Sequence, residues 1–328
     1  KDALRHGKLV KSKWVFKVKY QQDGEVERFK ARLVAKGFSQ RPGQDYVDGE
    51  TYSPVFSYTS LRTIVSKAAN DDYQLDCWDL ASSFVQQPLD VNHMYMQTPD
   101  GYPKFDINGK RTALHVRQSL YGLKQASRLL SDRLSGYLKK IGFKQLVSDR
   151  CVFVKGEGRE QIIAATWVDD IVLSSARENK VGREQFDKDL RKEFEMSPWT
   201  SGETDWLLNI KVTRDWSKGT IHLSQPQAIE KLATKFGMTG REGRNPSVPM
   251  NPTLKLDKPA SEDIVDLSDF DYPSAVGGML YLSLTARPDV AQSVGVLSRF
   301  MACPGPEHVA AAKQVIKYLY ATKEMGIT

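Results

Sequence analysis

Gln161-Ile162-Ile163-Ala164-Ala165-Thr166-Trp167-Val168-Asp169-Asp170-Ile171-Val172-Leu173 is the stretch on which the fold turns. Two apolar runs of strand length flank a pair of carboxylates, which reads as a β-hairpin with Asp169 and Asp170 at its tip. Neighbouring side chains on a strand point to opposite faces, so adjacent carboxylates rarely serve one site inside a sheet. At a tight turn they can diverge around a shared cation. An exposed turn accounts for most Asp-Asp doublets, but a solvent turn does not need a buried strand pair to aim it. Hard divalent ions such as Mg²⁺ take carboxylate oxygens and are usually completed by substrate phosphates. Two of them about 3.5–4 Å apart can hold the attacking and leaving oxygens of an in-line phosphoryl transfer.

Working outward, Tyr73, Leu75, Cys77, Asp79 and Ala81 fall on one side of a strand, with Gln74 and Asp76 on the other. That parity makes Asp79 the candidate third carboxylate and Asp76 a solvent-side residue. Further upstream, Lys13-Trp14-Val15-Phe16-Lys17-Val18-Lys19 has the alternation of a strand with one face buried and one in solvent. A turn at Asp23-Gly24 and a return strand from Arg28 to Lys36 complete a basic hairpin. Residues 61–70 are helix-like, and residues 126–141 and 180–194 have the spacing of amphipathic helices. Residues 207–212 and 220–223 form another hairpin. Helices then follow at 226–236, 272–284, 288–301 and 306–321, with a Pro/Asp/Ser-rich connection from Gly240 to Asp271. No repeat of 20–50 residues is present. Mixed strands and helices followed by helices alone imply an α+β fold with a helical C-terminal subdomain.

The composition fits this: 328 residues, 40% hydrophobic and 27% charged, is that of a globular protein and excludes disorder, collagen and coiled coil. The longest apolar runs fall far short of the ~20 residues of a membrane-spanning helix. Cys77, Cys151 and Cys303 are too dispersed for a disulfide framework or a zinc site, which favours a reducing compartment. The formal charge of +7 is unevenly placed. Residues 1–41 hold 12 Lys/Arg against 4 Asp/Glu, and the remainder 35 against 36, so the whole excess lies at one end. Such a segment implies either a polyanion partner or a solvated lysine-rich face. The chain opens on Lys1, which suggests a piece of a longer polypeptide.

Several motifs in order carry a resemblance. Asp79-Leu-Ala-Ser-Ser-Phe84-Val, Ser119-Leu-Tyr121-Gly122-Leu-Lys124-Gln125-Ala126 and Trp167-Val168-Asp169-Asp170 resemble the catalytic blocks of copia-type LTR retrotransposon reverse transcriptases, part of a Pol polyprotein. The resemblance extends through Lys30-Ala-Arg32-Leu-Val-Ala-Lys36-Gly37-Phe38, Ser53-Pro54-Val55, Leu223-Ser224-Gln225, Tyr272 to Tyr281, Thr285 to Asp289, Leu297 to Phe300 and His308 to Thr322. It covers the chain from about Lys13 to Thr328.

This resemblance implies a right-hand polymerase fold: fingers in 1–78, palm in 79–111, a connecting region in 112–150, palm again in 151–225 and a helical thumb in 226–328. It implies template-directed dNTP addition to a primer 3′-OH on RNA or DNA, with two Mg²⁺ ions, for which Mn²⁺ can substitute. Asp79, Asp169 and Asp170 would bind these ions, one of them assisted by the Leu80 carbonyl. Phe84 corresponds to a steric gate against the incoming sugar, the plain alternative being a core aromatic. Gln125 corresponds to the residue lying against the nucleotide. Lys30 and Arg32 correspond to cations that grip the triphosphate, either one directly. Leu208-Asn209-Ile210 stands where the family has the L-G-I hairpin that holds the primer terminus. Arg287, Arg299, Lys313 and Lys317 are thumb candidates for backbone contacts, or solvated side chains.

RNase H and integrase domains are expected in the parent polyprotein and not in this chain, and the setting is a cytoplasmic virus-like particle. Trp167 replaces a tyrosine, Asn209 a glycine, and Ala286 interrupts T-R-P-D, while residues 127–130 lack the family's Pro and Trp. These departures suit a drifting copy. Two competing readings are a relative that binds nucleic acid without polymerising, and a two-metal nuclease; the Y-G-L-K-Q block, with no role in hydrolysis, argues against the nuclease.

Overall fold

A computed structural model of the chain describes residues 9–20, 25–197, 204–240 and 245–328. The expected turn at Asp23-Gly24 lies outside the described residues. The chain divides into two compact units, residues 1–60 with 74–201, and residues 61–73 with 202–328.

The first unit opens with strands β1 (Ser12–Tyr20) and β2 (Val26–Ala35), paired antiparallel with Lys17 opposite Lys30 and Val15 opposite Arg32. Directly opposed residues share a face, so one face carries Lys13, Lys17, Lys19, Arg28, Lys30 and Arg32, and the other carries Trp14, Phe16, Val18, Phe29, Ala31 and Leu33. The expectation of a buried apolar face holds only at the base, where Ala35 is buried and Leu33 packs against Val10, Met94, Met96 and Val116. Towards the tip Phe16 is 75% and Phe29 81% exposed, because the strands outrun the core beneath them. Strands β4 (Met94–Gln97) and β5 (Ala113–Val116) make the small sheet under that base.

The heart of this unit is a five-stranded sheet. Strand β3 (Tyr73–Asp79) reaches it from the end of helix α1 (Tyr58–Asn70), whose bulk, 61–70, belongs to the second unit. Helix α2 (Ala126–Lys140), strands β6 (Lys144–Gln145), β7 (Val152–Lys155), β8 (Ile162–Trp167) and β9 (Asp170–Ala176), and helix α3 (Lys180–Glu193) follow. The strand order is β3-β9-β8-β7-β6. Leu130, Leu134 and Leu138, one turn apart on α2, and Phe186 and Leu190 on α3 close a core with Trp78, Phe153, Ile162, Ala164, Ile171 and Leu173. Ile163, Ala165 and Val172 on the opposite parity are buried as well, so β8 and β9 are covered on both faces.

One expectation is corrected here. Asp76 is not at the surface: it is 1% exposed, its carboxylate 3.6 Å from Arg183 Nε of α3. Arg183, itself buried, also donates to Ser175 Oγ and to the carbonyls of Ala176 and Arg177. The face that parity assigned to solvent is covered by α3, where Trp78 Nε1 also donates to Asp187 Oδ1 at 3.1 Å.

In the second unit, strands β10 (Trp206–Leu207), β11 (Ile210–Asp215), β12 (Thr220–Ser224) and β13 (Gly326–Ile327) form a four-stranded sheet in that order. Helices α4 (Pro226–Lys235), α5 (Tyr272–Thr285), α6 (Ala291–Ser298) and α7 (Pro306–Ala321) pack into a separate core around Tyr272, Met279, Val294 and Ile316. Asp271 caps α5 by accepting from the Ser274 N–H at 3.1 Å. The helix expected over 288–301 is shorter, since a 3₁₀ turn takes Pro288–Val290. Arg287 is no nucleic-acid contact: it is 1% exposed, bonded to Asp289 and to the Thr322 carbonyl and hydroxyl. Arg299 and Lys317 are exposed, and Lys313 lies 5.3 Å over the Phe270 ring. Among the described residues no helix is long and apolar enough to cross a membrane.

Candidate active site

Strands β8 and β9 close with Trp167 opposite Asp170, which leaves Val168-Asp169 as a two-residue loop. Val168 has φ 56, the left-handed region in which a β-branched residue is strained. Two strands buried up to the half-buried Trp167 and Asp170, and an aromatic clasp, over-determine the loop: the Trp167 ring meets Phe56 edge-on at 5.4 Å and Tyr58 at 5.7 Å. Both carboxylates therefore leave a rigid tip, as the apolar flanks in the sequence imply.

Asp79 is brought to this tip by the end of β3, the strand beside β9. The Leu80 N–H donates to the Asp169 carbonyl at 2.9 Å, tying strand end to turn. Ser197 holds Asp79 from the other side, its N–H on the Asp79 carbonyl at 3.0 Å and its Oγ on Oδ2 at 2.7 Å. Burial, then the charges of Asp169 and Asp79, push the Asp170 carboxyl up to about 6. Asp169 is raised too, by burial first and then by the Asp79 charge, and is drawn back by a backbone hydrogen bond at Asp169 itself and, more weakly, by Arg32 and Lys30. Desolvation and the cations Arg32, Lys19 and Arg28 lower Lys30. The arrangement is a knot of negative charge faced by the cationic side of the β1–β2 hairpin.

Phe84 sits in a 3₁₀ turn, Ser83–Gln86, half-buried, its ring edge-on to Tyr121 at 5.0 Å. Arg32 lies 5.3 Å over the same Tyr121 ring, so Tyr121 links the hairpin cation to Phe84. The Tyr121 carbonyl accepts from the Ala35 N–H at 2.8 Å. Gly122 makes that approach possible: at φ +87, a Cβ there would lie 2.2 Å from the Ala35 oxygen.

Gln125 does not join the group. It is fully buried, its Oε1 accepting from Gln40 Nε2 at 3.0 Å and its Nε2 donating to the Asp45 carbonyl at 2.9 Å. Gln40 in turn accepts from the Lys124 N–H at 2.8 Å. An amide with both ends used inside the protein positions the loop rather than meeting a ligand. Leu208-Asn209-Ile210 belongs to the second unit. Leu208 (φ 52) and Asn209 (φ 65) form the loop between β10 and β11, and Asn is among the few residues that tolerate this conformation.

The donors fit a hard divalent cation chemically: three carboxylates, two of them partly buried and repelling each other. Among the described residues, however, no three His, Cys, Asp or Glu side chains already converge on one metal position. Asp79 is engaged by Ser197 instead. Tyr121 and Ser197 escaped the sequence reading; Tyr121 stands inside a quoted motif, whereas Ser197 carries no local signal.

A family model described as reverse transcriptase (RNA-dependent DNA polymerase) matches residues 3–252. The chain is 35% identical over 319 residues to the Retrovirus-related Pol polyprotein from transposon TNT 1-94 of Nicotiana tabacum, covering 95% of this chain and 23% of that protein. It is 34% identical over 322 residues to the Pol polyprotein from transposon RE1 of Arabidopsis thaliana, covering 98% and 21%. The Ty1-BL Gag-Pol polyprotein of Saccharomyces cerevisiae is 25% identical over 329 residues, at 97% and 18%. The chain thus spans less than a quarter of the length of these curated relatives.

Proposed function

Because the chain belongs to the copia-type reverse transcriptase (RNA-dependent DNA polymerase) family, we propose that it adds dNTPs to a primer 3′-OH on an RNA or DNA template. The observation that carries this is the strained tip that presents Asp169 and Asp170 beside Asp79, with the ionised forms of Asp169 and Asp170 disfavoured by burial first and by neighbouring carboxylate charge second. Asp79, Asp169 and Asp170 would hold two divalent cations, Mg²⁺ with Mn²⁺ as substitute, and these would supply neutralisation of the charge that develops in phosphoryl transfer. Lys30 and Arg32 bind the triphosphate, a use of cations that suits phosphate oxygens. Phe84, braced by Tyr121, excludes a ribose 2′-hydroxyl. Gln125 acts beneath the nucleotide pocket as a positioning residue, and Leu208-Asn209-Ile210 holds the primer terminus.

On this reading the molecule is a right hand. The proposed fingers and palm lie mostly in the first unit, but residues 61–73 of the fingers and 202–225 of the palm, with the primer hairpin, belong to the second, as does the helical thumb, 226–328. Its parent is a Pol polyprotein with RNase H and integrase domains, working in a cytoplasmic virus-like particle.

Primer extension on poly(rA)/oligo(dT) tests the proposal. Wild type extends the primer, and Asp169→Asn or Asp170→Asn abolishes incorporation while template affinity is retained. Template binding without incorporation in wild type would make the chain a binding module, and shortening of the labelled primer would make it a nuclease.

A further inference from the structure

Asp169 and Asp170 are directed by the turn that carries them, but Asp79 is the exposed last residue of β3. The torsion that rotates an aspartate carboxylate about its own axis is broad and roughly two-fold, so a strand end alone leaves the oxygens poorly aimed. Among the described residues the Asp79 carboxylate accepts one hydrogen bond, from Ser197 Oγ to Oδ2 at 2.7 Å.

Ser197 comes to this point on a short strap, residues 193–197, that leaves the end of α3. The strap is anchored before it arrives. Arg133 of α2 donates to Glu193 Oε1 and to the Glu193 carbonyl, each at 2.8 Å, and its guanidinium lies 4.9 Å over the Phe194 ring. The Glu195 N–H then donates at 2.9 Å to Oε1 of Gln86, the last residue of the 3₁₀ turn that carries Phe84. Met196 bridges Leu80 antiparallel, which sets Ser197 opposite Asp79, its N–H on the Asp79 carbonyl at 3.0 Å. All of these groups lie within the first unit, so the hydroxyl is delivered by scaffold.

An ionised carboxylate can accept about four bonds on its two oxygens. One hydroxyl on Oδ2 therefore stops the rotation and leaves Oδ1 for a cation. A ligand held in this way binds metal more tightly, because the ion does not have to order it. We propose that Ser197 is a positioning residue of the divalent-cation site: its hydroxyl, presented by the 193–197 strap, holds the Asp79 carboxylate in the orientation that receives the ion. This deepens the reading of Asp79, Asp169 and Asp170 as cation ligands and rests on it.

The test titrates Mn²⁺ into the chain without nucleic acid or dNTP and follows the free ion by electron paramagnetic resonance, with primer extension measured in parallel. Ser197→Ala raises the Kd for Mn²⁺ roughly tenfold to a hundredfold, and Ser197→Thr, which keeps the hydroxyl, binds as wild type. In an Asp79→Ala background Ser197→Ala has no further effect, because the hydroxyl then has nothing to hold. The strap keeps its backbone bonds in the alanine variant, so thermal unfolding of the metal-free protein stays as in wild type. In extension, Ser197→Ala raises the Mg²⁺ concentration for half-maximal rate by a similar factor and leaves the KM for dNTP at saturating Mg²⁺ unchanged. Equal Mn²⁺ affinity in wild type and Ser197→Ala overturns the proposal, as does an equal loss in the threonine variant. Tighter binding in the alanine variant overturns it too, since the hydroxyl would then compete with the ion. Wild type that binds Mn²⁺ in this Ser197-dependent way without extending primers supports the positioning role and refutes polymerisation instead.

Discussion

Asp76→Asn should stabilise the protein above pH 6. The Asp76 carboxylate is buried against α3, and its Oδ2, 3.6 Å from Arg183 Nε, has no hydrogen-bond partner; Oδ1 accepts from Gln74 Nε2 at 2.9 Å. Burial pushes this carboxyl from 3.8 up to about 6, against the opposing pull of Gln74 and Arg183. Desolvation therefore outweighs attraction, as it often does for buried ion pairs. That displacement corresponds to about 3 kcal/mol against the ionised form at neutral pH. Because the folded-state value is the higher one, the group's contribution is fully present below pH 3.8 and is lost as pH rises through about 6. The amide keeps the Gln74 bond and carries no charge, while Arg183 loses one weak partner and keeps three acceptors. We expect a gain of roughly 1–3 kcal/mol at pH 8, none at pH 4, and a flatter stability profile between. Urea unfolding followed by tryptophan fluorescence across that range measures it. Arg183→Met, which leaves a carboxylate buried and unpaired, should instead cost about 3–5 kcal/mol at pH 8. If Asp76→Asn were less stable than wild type at pH 8, or its pH profile kept the wild-type slope, attraction would exceed desolvation and the argument would be wrong.

Val168→Gly relieves a strain of about 1–3 kcal/mol and loses about 0.5–1 kcal/mol to backbone entropy, so thermal stability should hold or rise while primer extension falls as the tip loosens. A clear loss of stability would mean the loop is not strained. Phe84→Val should raise ribonucleotide incorporation in a competition assay, and unchanged sugar selectivity would return Phe84 to a core aromatic packed on Tyr121. Lys30→Ala and Arg32→Ala should each raise the KM for dNTP more than they weaken template affinity; an equal fall in both would make the hairpin a clamp on nucleic acid.

Much of the fold is legible locally. Residues 161–173 declare their hairpin because both flanks are apolar and strand-length, and pairing of Trp167 with Asp170 puts the carboxylates at the tip as expected. The helices α2, α3 and α7 fall within a residue or so of where their spacing predicts, since an amphipathic stripe is a property of the helix alone. Where reading failed, the missing information was the identity of a distant neighbour. Parity along β3 correctly separates Asp79 from Asp76, but only the docking of α3, with Arg183 far along the chain, makes the Asp76 side an interior. Gln125, which the resemblance sets against the nucleotide, is instead enclosed by Gln40 and Asp45. Arg287 looks like a free cation until Asp289 and Thr322 surround it.

The sequence by itself determined the longer helices, the main hairpins with the parity of their faces, and the carboxylates at the tip of one of them, because these follow from periodicity and turn chemistry over a few residues; the short strands β4, β5, β6 and β13 carry no such local signal. Only the tertiary structure decided which faces meet protein and which meet water. Burial belongs to pairs of elements: the same alternation of lysine and aromatic residues gives a covered row at the base of the β1–β2 hairpin and an open one at its tip, according to whether a core lies beneath.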